Sequence, residues 1–177
     1  MSFAVPPPNH DAHGMLTATA ASHAGTDAAL DAAQEHAWQR ALIWFEQLTP
    51  ADLDRMSAIY TEDARFKDPF HEVLGVPAIR AIFERMFDQS QQPRFVITSS
   101  VRQGAQGFVT WDFVFAQPAR PAQSWTIRGA THLVLREDGG VWRIAVHRDY
   151  WDAAEELYEK LPLVGGLMRW LKRRAGS

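Results

Sequence analysis

The order of hydrophobic patterns in this 177-residue chain predicts an α+β fold, with helices packed on one face of a curved antiparallel sheet. Apolar residues recur at helical spacing from Trp38 to Phe87, interrupted by one early strand. The period then changes from 3.6 to 2 over residues 95–151. Segregated elements of this kind, as opposed to alternating ones, place helices together on one side of an antiparallel sheet.

Residues 1–30 carry Pro6-Pro7-Pro8, many Ala, and no apolar periodicity. Such a segment buries too little surface to offset its ordering entropy, so it reads as a disordered tail, helical at most near its end. The ordered domain is expected over residues 31–160. Trp38, Ala41, Leu42 and Phe45 fall at i, i+3, i+4 and i+7 on one helix face. Thr49-Pro50-Ala51-Asp52 ends that helix and opens another, with Thr49 as cap, Pro50 in the first turn and Asp52 completing a capping-box pattern. Leu53, Met56 and Tyr60 mark its buried stripe. A strand is expected at 64–70, weakened at Pro69. A third helix opens near Val76-Pro77 and buries Ile79, Ile82, Phe83, Met86 and Phe87. Strands follow at 95–101, 108–116, 125–135 and 142–151. Asp138-Gly139-Gly140 is a hairpin signal between the last two. Asp152-Ala153-Ala154-Glu155 resembles a capping box that starts a C-terminal helix, and 161–177 is a basic helix or tail.

Composition limits the function. Eighteen basic and 21 acidic side chains leave a net charge of -3, which lacks the basic field of a general nucleic-acid binder. No apolar run reaches the roughly 18 residues of a membrane-spanning helix. The chain has no cysteine, which excludes disulfides, zinc–thiolate sites and thiol nucleophiles. The first Lys or Arg is Arg40, so a secretory or transit signal is not expected and a cytoplasmic location is. His10, His13, His23 and His36 have no metal-ligand spacing, and no metal site is expected. Seven Trp and ten Phe are enough to build a core, an aromatic pocket, or both.

The segment Ile59-Tyr60-Thr61-Glu62-Asp63-Ala64-Arg65-Phe66-Lys67-Asp68-Pro69-Phe70, the helix start Gly75-Val76-Pro77-Ala78-Ile79, and the closing His147-Arg148-Asp149-Tyr150-Trp151 resemble the nuclear transport factor 2-like superfamily. The likeness is to its SnoaL-like and ketosteroid-isomerase-like group and covers about residues 36–151. It implies a cone-like α+β barrel, with three N-terminal helices enclosing an apolar cavity against the sheet. It also implies a homodimer through the outer sheet face. Fold alone does not imply function.

The resemblance implies that Asp68, in Asp-Pro, is a general base whose pKa an apolar wall can raise. The alternative is a turn Asp that binds its own backbone. Trp44 stands where the isomerases carry their oxyanion Tyr, Phe83 where that Tyr has its support, and His132 near the oxyanion Asp. A true ketosteroid isomerase is therefore not expected. On the third strand of the meander Ala130, His132 and Val134 share one face. On the fourth Ala145, His147, Asp149 and Trp151 share one. The resemblance turns His132, His147 and Trp151 to the cavity, which leaves the more apolar face of both strands outside, as a dimer interface. His132 and His147 are then candidate acid–base groups. Trp44, Phe70, Phe83, Trp111, Arg128 and Trp151 are candidate ligand-binding residues, Arg128 with a sheet-surface ion pair as the alternative.

Two functions stand. One is a small-molecule enzyme without a cofactor that isomerises, cyclises or dehydrates a compact apolar carbonyl compound. Asp68 takes the proton in it, and His132 or His147 donates to the oxyanion. The other is a non-catalytic ligand-binding or dimeric assembly module. The basic tail, with Arg169, Lys172, Arg173 and Arg174, adds at most weak membrane contact.

Overall fold

The computed structural model describes residues 12–118 and 120–151, with side chains over 26–118 and 121–151. Helix α1 spans Ala12–Glu46. Its buried residues Gln34, Ala37, Trp38, Ala41, Leu42 and Phe45 recur every three or four positions, the stripe a helix needs to face a core. The helix begins well before the expected domain start. Residues 26–33 are exposed, so this part of α1 leaves no apolar pattern to read. Its Ala-rich composition favours helix without one. Arg102 binds Asp31 at 2.8 Å and Glu35 at 2.7 Å, tying α1 to the sheet.

A 3₁₀ helix, Pro50–Ala58, follows. The Asp52 carboxylate accepts from the Thr49 N–H at 2.9 Å and from its hydroxyl at 2.6 Å. Leu53 and Met56, three apart, are buried as the three-residue turn dictates. Strand β1 is Tyr60–Lys67, earlier than expected at both ends. Asp68 ends it by accepting from the N–H groups of Phe70 and His71, while its own N–H donates to the His71 carbonyl at 3.0 Å. That turn feeds β2, Glu72–Leu74, and then α2, Val76–Gln89, which buries Ile79 and Phe83.

The meander is as the period-2 pattern predicts: β3 Gln91–Gln103, β4 Gln106–Gln117, β5 Arg120–Asp138 and β6 Val141–Trp151, each antiparallel to the next. Gly139 and Gly140 both take positive φ in the two-residue turn that pairs Asp138 with Val141. The six strands form an open sheet in the order β2-β1-β6-β5-β4-β3. It is mixed, and the wholly antiparallel expectation is corrected at one place, where β1 runs parallel to β6. The chain reaches that position by crossing from β2 through α2 and the whole meander. The expected C-terminal helix and the basic segment 161–177 lie outside the described residues.

The sheet has a buried face and an exposed one. Phe66, Val109, Trp111, Ile127, Leu133 and Ile144 are buried against the helices. Val96, Val101, Phe108 and Tyr150 are exposed. In β5 the buried set is Ile127, Thr131, Leu133 and Leu135, all of one parity as alternation requires. In β6 alternation breaks. Val134 pairs with Val146 and Leu135 with Ile144, so Ala145 is an extra residue in a β-bulge. Ile144 and His147, three apart, are therefore both buried.

Trp111 pairs with Gly129, and its ring lies over that glycine: a Cβ there would stand 2.4 Å from the ring. We expect Gly129→Ala to lower stability by about 1–3 kcal/mol through overpacking, read as an earlier midpoint in urea unfolding at unchanged slope.

Candidate functional site

A cavity of about 760 Å³ lies between α1, α2 and the buried sheet face. Its walls are mostly aromatic, with Phe66, Phe83, Phe95, Trp111, Phe113 and Trp151 among them. Phe95 meets Trp111 edge-on at 5.6 Å, as Phe70 does Trp151 at 5.4 Å, and Phe113 stacks on Phe115 at 5.1 Å. Phe70, half exposed, sits on the rim, which also carries Gln89 and Gln117.

A chain of hydrogen bonds crosses this apolar interior. The Trp111 indole N–H donates to Thr131 Oγ1 at 2.8 Å. Thr131 donates in turn to Asp149 Oδ1. From the other side His147 Nε2 lies 2.9 Å from the same oxygen, and His147 Nδ1 lies 2.8 Å from the Tyr60 hydroxyl. The direction of each bond follows from the groups. A carboxylate only accepts, so Nε2 carries the hydrogen and Nδ1 is the acceptor. Burial, with the nearby Asp149 charge second, holds the Tyr60 phenol well above the ordinary tyrosine pKa; it stays protonated and donates to Nδ1. Two chains, Trp111 to Thr131 and Tyr60 to His147, thus converge on one carboxylate oxygen. Asp149 Oδ2 takes no hydrogen bond from a described residue.

Register explains the placement. Thr131 is paired with Asp149 and Leu133 with His147 across β5 and β6. In the parallel pair Phe66 is opposite His147 and Lys67 opposite Arg148, so Asp68 follows beside Asp149 where both strands end. Asp68 also borders the cavity. Its Oδ1 holds the turn N–H groups, and its Oδ2 lies 2.9 Å from His71 Nδ1. Its oxygens are occupied in fixing the strand end, in the manner of a turn aspartate.

Of the candidates from sequence, Asp68, His147, Phe70, Phe83, Trp111 and Trp151 all line this cavity. His132 and Arg128 do not. His132 pairs with Arg148 on the outer face, stacks on Phe108 at 4.7 Å and faces Gln106 Oε1 at 3.2 Å. Arg128, largely exposed, sits 3.9 Å from Asp112 on the same outer face. The bulge at Ala145 is the physical reason: it turns His147 inward without reversing β5. The more apolar face of β5 is consequently the cavity face, and in β6 the bulge divides Ile144 and Val146 between the two faces. Trp44 stands behind the wall, against Tyr60 at 6.2 Å and Phe83 at 6.1 Å, and its buried indole N–H has no partner among the described residues. His147 is inside, but both ring nitrogens are engaged, so it has no hydrogen left for a substrate oxyanion.

Sequence reasoning missed Asp149, Thr131 and Tyr60. Asp149 was visible as a face-mate of His147, two residues on. Tyr60 was read as helix core, and nothing local to it signals a partner 87 residues away. Among the described residues no group of three or more His, Asp or Glu is placed to hold a metal ion, and no helix is long and apolar enough to cross a membrane.

The family model of the SnoaL-like domain matches residues 42–147, which carry most of the cavity walls and His147 but not Asp149 or Trp151. The chain belongs to the SnoaL-like family. Solved structures agree in fold. A Shewanella putrefaciens protein that bears the name of a SnoaL-like polyketide cyclase is 21% identical with a TM-score of 0.56, over 69% of this chain and 96% of that one. An epoxide hydrolase of the LEH-like type from M. tuberculosis is 18% identical with a TM-score of 0.52, over 66% and 84%. A Catenulispora acidiphila protein with a ketosteroid isomerase-like fold, solved with trimethylamine, is 17% identical with a TM-score of 0.54, over 64% and 85%. No curated protein matches the chain. At these identities the likeness establishes the fold of this SnoaL-like domain, and the chemistry has to come from its own residues.

The Tyr60 bond makes a stability prediction. Tyr60→Phe leaves His147 Nδ1 buried without a donor and is expected to cost about 1–3 kcal/mol at neutral pH. The raised folded-state pKa means that the unfolded chain loses the phenol proton first. Its contribution is complete below about pH 10 and is lost as pH rises above that value, at up to about 1.4 kcal/mol per pH unit. Urea unfolding from pH 8 to 11 should show this decline in the wild type and a shallower one in Tyr60→Phe.

Proposed function

We propose that this SnoaL-like domain binds a compact apolar ring compound in its aromatic cavity and moves a proton on it, with Asp149 as the base. The observation that carries the reading is the carboxylate itself. Oδ1 is held from two sides by Thr131 and His147, while Oδ2 has no partner among the described residues and the group borders an apolar chamber. A base held in one orientation beside bound substrate meets the geometric requirement for proton transfer.

The step needs only the chain's own side chains. Asp149 Oδ2 takes the proton from a carbon next to a substrate carbonyl, and the C–H electron pair moves into the carbon framework as an enolate. The protonated Asp149 then returns the proton to another carbon, which isomerises the substrate, to a hydroxyl that departs as water, which dehydrates it, or to the alkoxide left when the enolate carbon bonds to a second carbonyl carbon of the same molecule, which cyclises it. Charge on the substrate oxygen is met from the rim by the amides of Gln89 and Gln117. His147 and Tyr60 act behind Asp149. The base role expected of Asp68 thus passes to its neighbour, and Asp68 shapes the mouth.

Deuterium uptake at the carbons flanking the ketone of 2-tetralone, followed by NMR, tests this. The wild type should accelerate uptake over buffer. Asp149→Asn should lose about 10²–10⁴-fold of that rate, the range for one acid–base group, with ligand binding retained. Binding without accelerated uptake in the wild type supports the alternative, a non-catalytic ligand-binding module.

The exposed Phe108, Tyr150, Val96 and Val101 on the outer face support a second part of the reading, a homodimer through the sheet. Sedimentation velocity should show a dimer that Phe108→Glu dissociates; a monomeric wild type removes this part.

A further inference from the structure

The cavity is lined by five ionisable side chains: Asp68, His71, Arg85, His147 and Asp149. Four of them are matched in pairs. His71 lies 2.9 Å from Asp68, and His147 lies 2.9 Å from Asp149. Arg85 has no ion pair or hydrogen bond with a described residue. Its situation differs from that of Arg80 on the same helix, which is clamped by Asp54 and Glu84, both at 2.7 Å. Asp88, three residues further along α2, is near enough in sequence for an i,i+3 pair, yet no such pair forms. The rim therefore carries one exposed guanidinium with no counter-ion among the described residues. Gln89, one helical turn on, lines the same rim and adds an amide donor beside it.

The sheet side of the cavity is the electrical reverse. Every hydrogen of the Trp111–Thr131–Asp149–His147–Tyr60 chain is already donated within the chain, so the sheet side offers acceptors only. A ligand anion is repelled there and held at α2. An acidic C–H, or a hydroxyl, is accepted at the sheet. The two sides thus orient a molecule that carries a negative group at one end and a transferable hydrogen at the other.

Building on the cavity as a ligand site, as the proposed function has it, we propose that Arg85 is the counter-ion of the ligand, which is an apolar ring compound bearing a carboxylate. The guanidinium fork takes the carboxylate at the rim, with Gln89 beside it. The ring body lies along the aromatic walls, and the reacting hydrogen reaches Asp149.

Isothermal titration with 2-naphthoate and its neutral isostere 2-naphthamide tests the assignment. The wild type in low-salt buffer should bind the naphthoate about tenfold more tightly, the size of one charge-assisted contact. Added salt should weaken the naphthoate and leave the naphthamide unchanged. Arg85→Gln should bring the two probes to equal affinity without changing that of the naphthamide, which also reports that the variant is folded. Arg85→Lys should restore part of the preference, since it keeps the charge and loses the fork. Equal binding of both probes by the wild type, or a preference that survives Arg85→Gln, overturns the counter-ion and leaves the cavity standing. Failure of both probes to bind overturns the cavity as a ligand site, and the counter-ion with it.

Discussion

Between Val146 and Ile144, strand β6 carries one residue more than β5 does across from it, and the inward set of side chains changes parity there. The bulge at Ala145 lets Ile144 fill the core near one end of the sheet while His147, Asp149 and Trp151 face the cavity at the other. A regular strand has to expose one group or the other, because a shift of one residue exchanges the faces. The parallel pairing with β1 carries a second irregularity beside it: from Tyr60 to Arg65 β1 advances five residues while β6 advances two, from Ile144 to Val146, so that Phe66 stands opposite His147. That offset is what brings Asp68 beside Asp149 and lets the Tyr60 hydroxyl reach the imidazole.

The polar chain that results is buried in a setting that penalises any unmatched group. An unpaired donor or acceptor in an apolar interior costs about 1–3 kcal/mol. Here each donor has one acceptor, and both branches end on a carboxylate oxygen. Hydrogen bonds that end on charge are shorter and stronger than neutral ones. The arrangement keeps the Asp149 carboxylate in one orientation within a wall of rings that by themselves impose no polar order. Precision at that point comes from strands on a rigid sheet and not from loops.

Charge in the cavity is arranged as two aspartate–histidine pairs and one guanidinium. The pairs lie side by side where β1 and β6 end, and the guanidinium is on α2. Sheet and helix thus supply opposite signs to one apolar space. A ligand held between them is oriented by its own polarity, and much of its affinity comes from apolar area, at about 25 cal/mol per Å² removed from water.

The sequence by itself determined the α+β class, the four meander strands, the Asp138-Gly139-Gly140 turn and the stripe of α2, because each rests on local periodicity or on a residue's own backbone preference. It also marked Asp68, His147, Phe70, Phe83, Trp111 and Trp151, all of which reach the cavity. The length of α1 escaped it, since a helical turn whose side chains face solvent leaves no apolar period. Only the tertiary structure decided that His132 and Arg128 face outward and that Asp149, Thr131 and Tyr60 join His147. A bulge has no reliable mark in a strand's own residues: it is defined by what stands across from it. The parallel contact of β1 with β6 joins residues more than 80 positions apart, and such a pairing is set by the packing of the whole sheet, which no local pattern encodes.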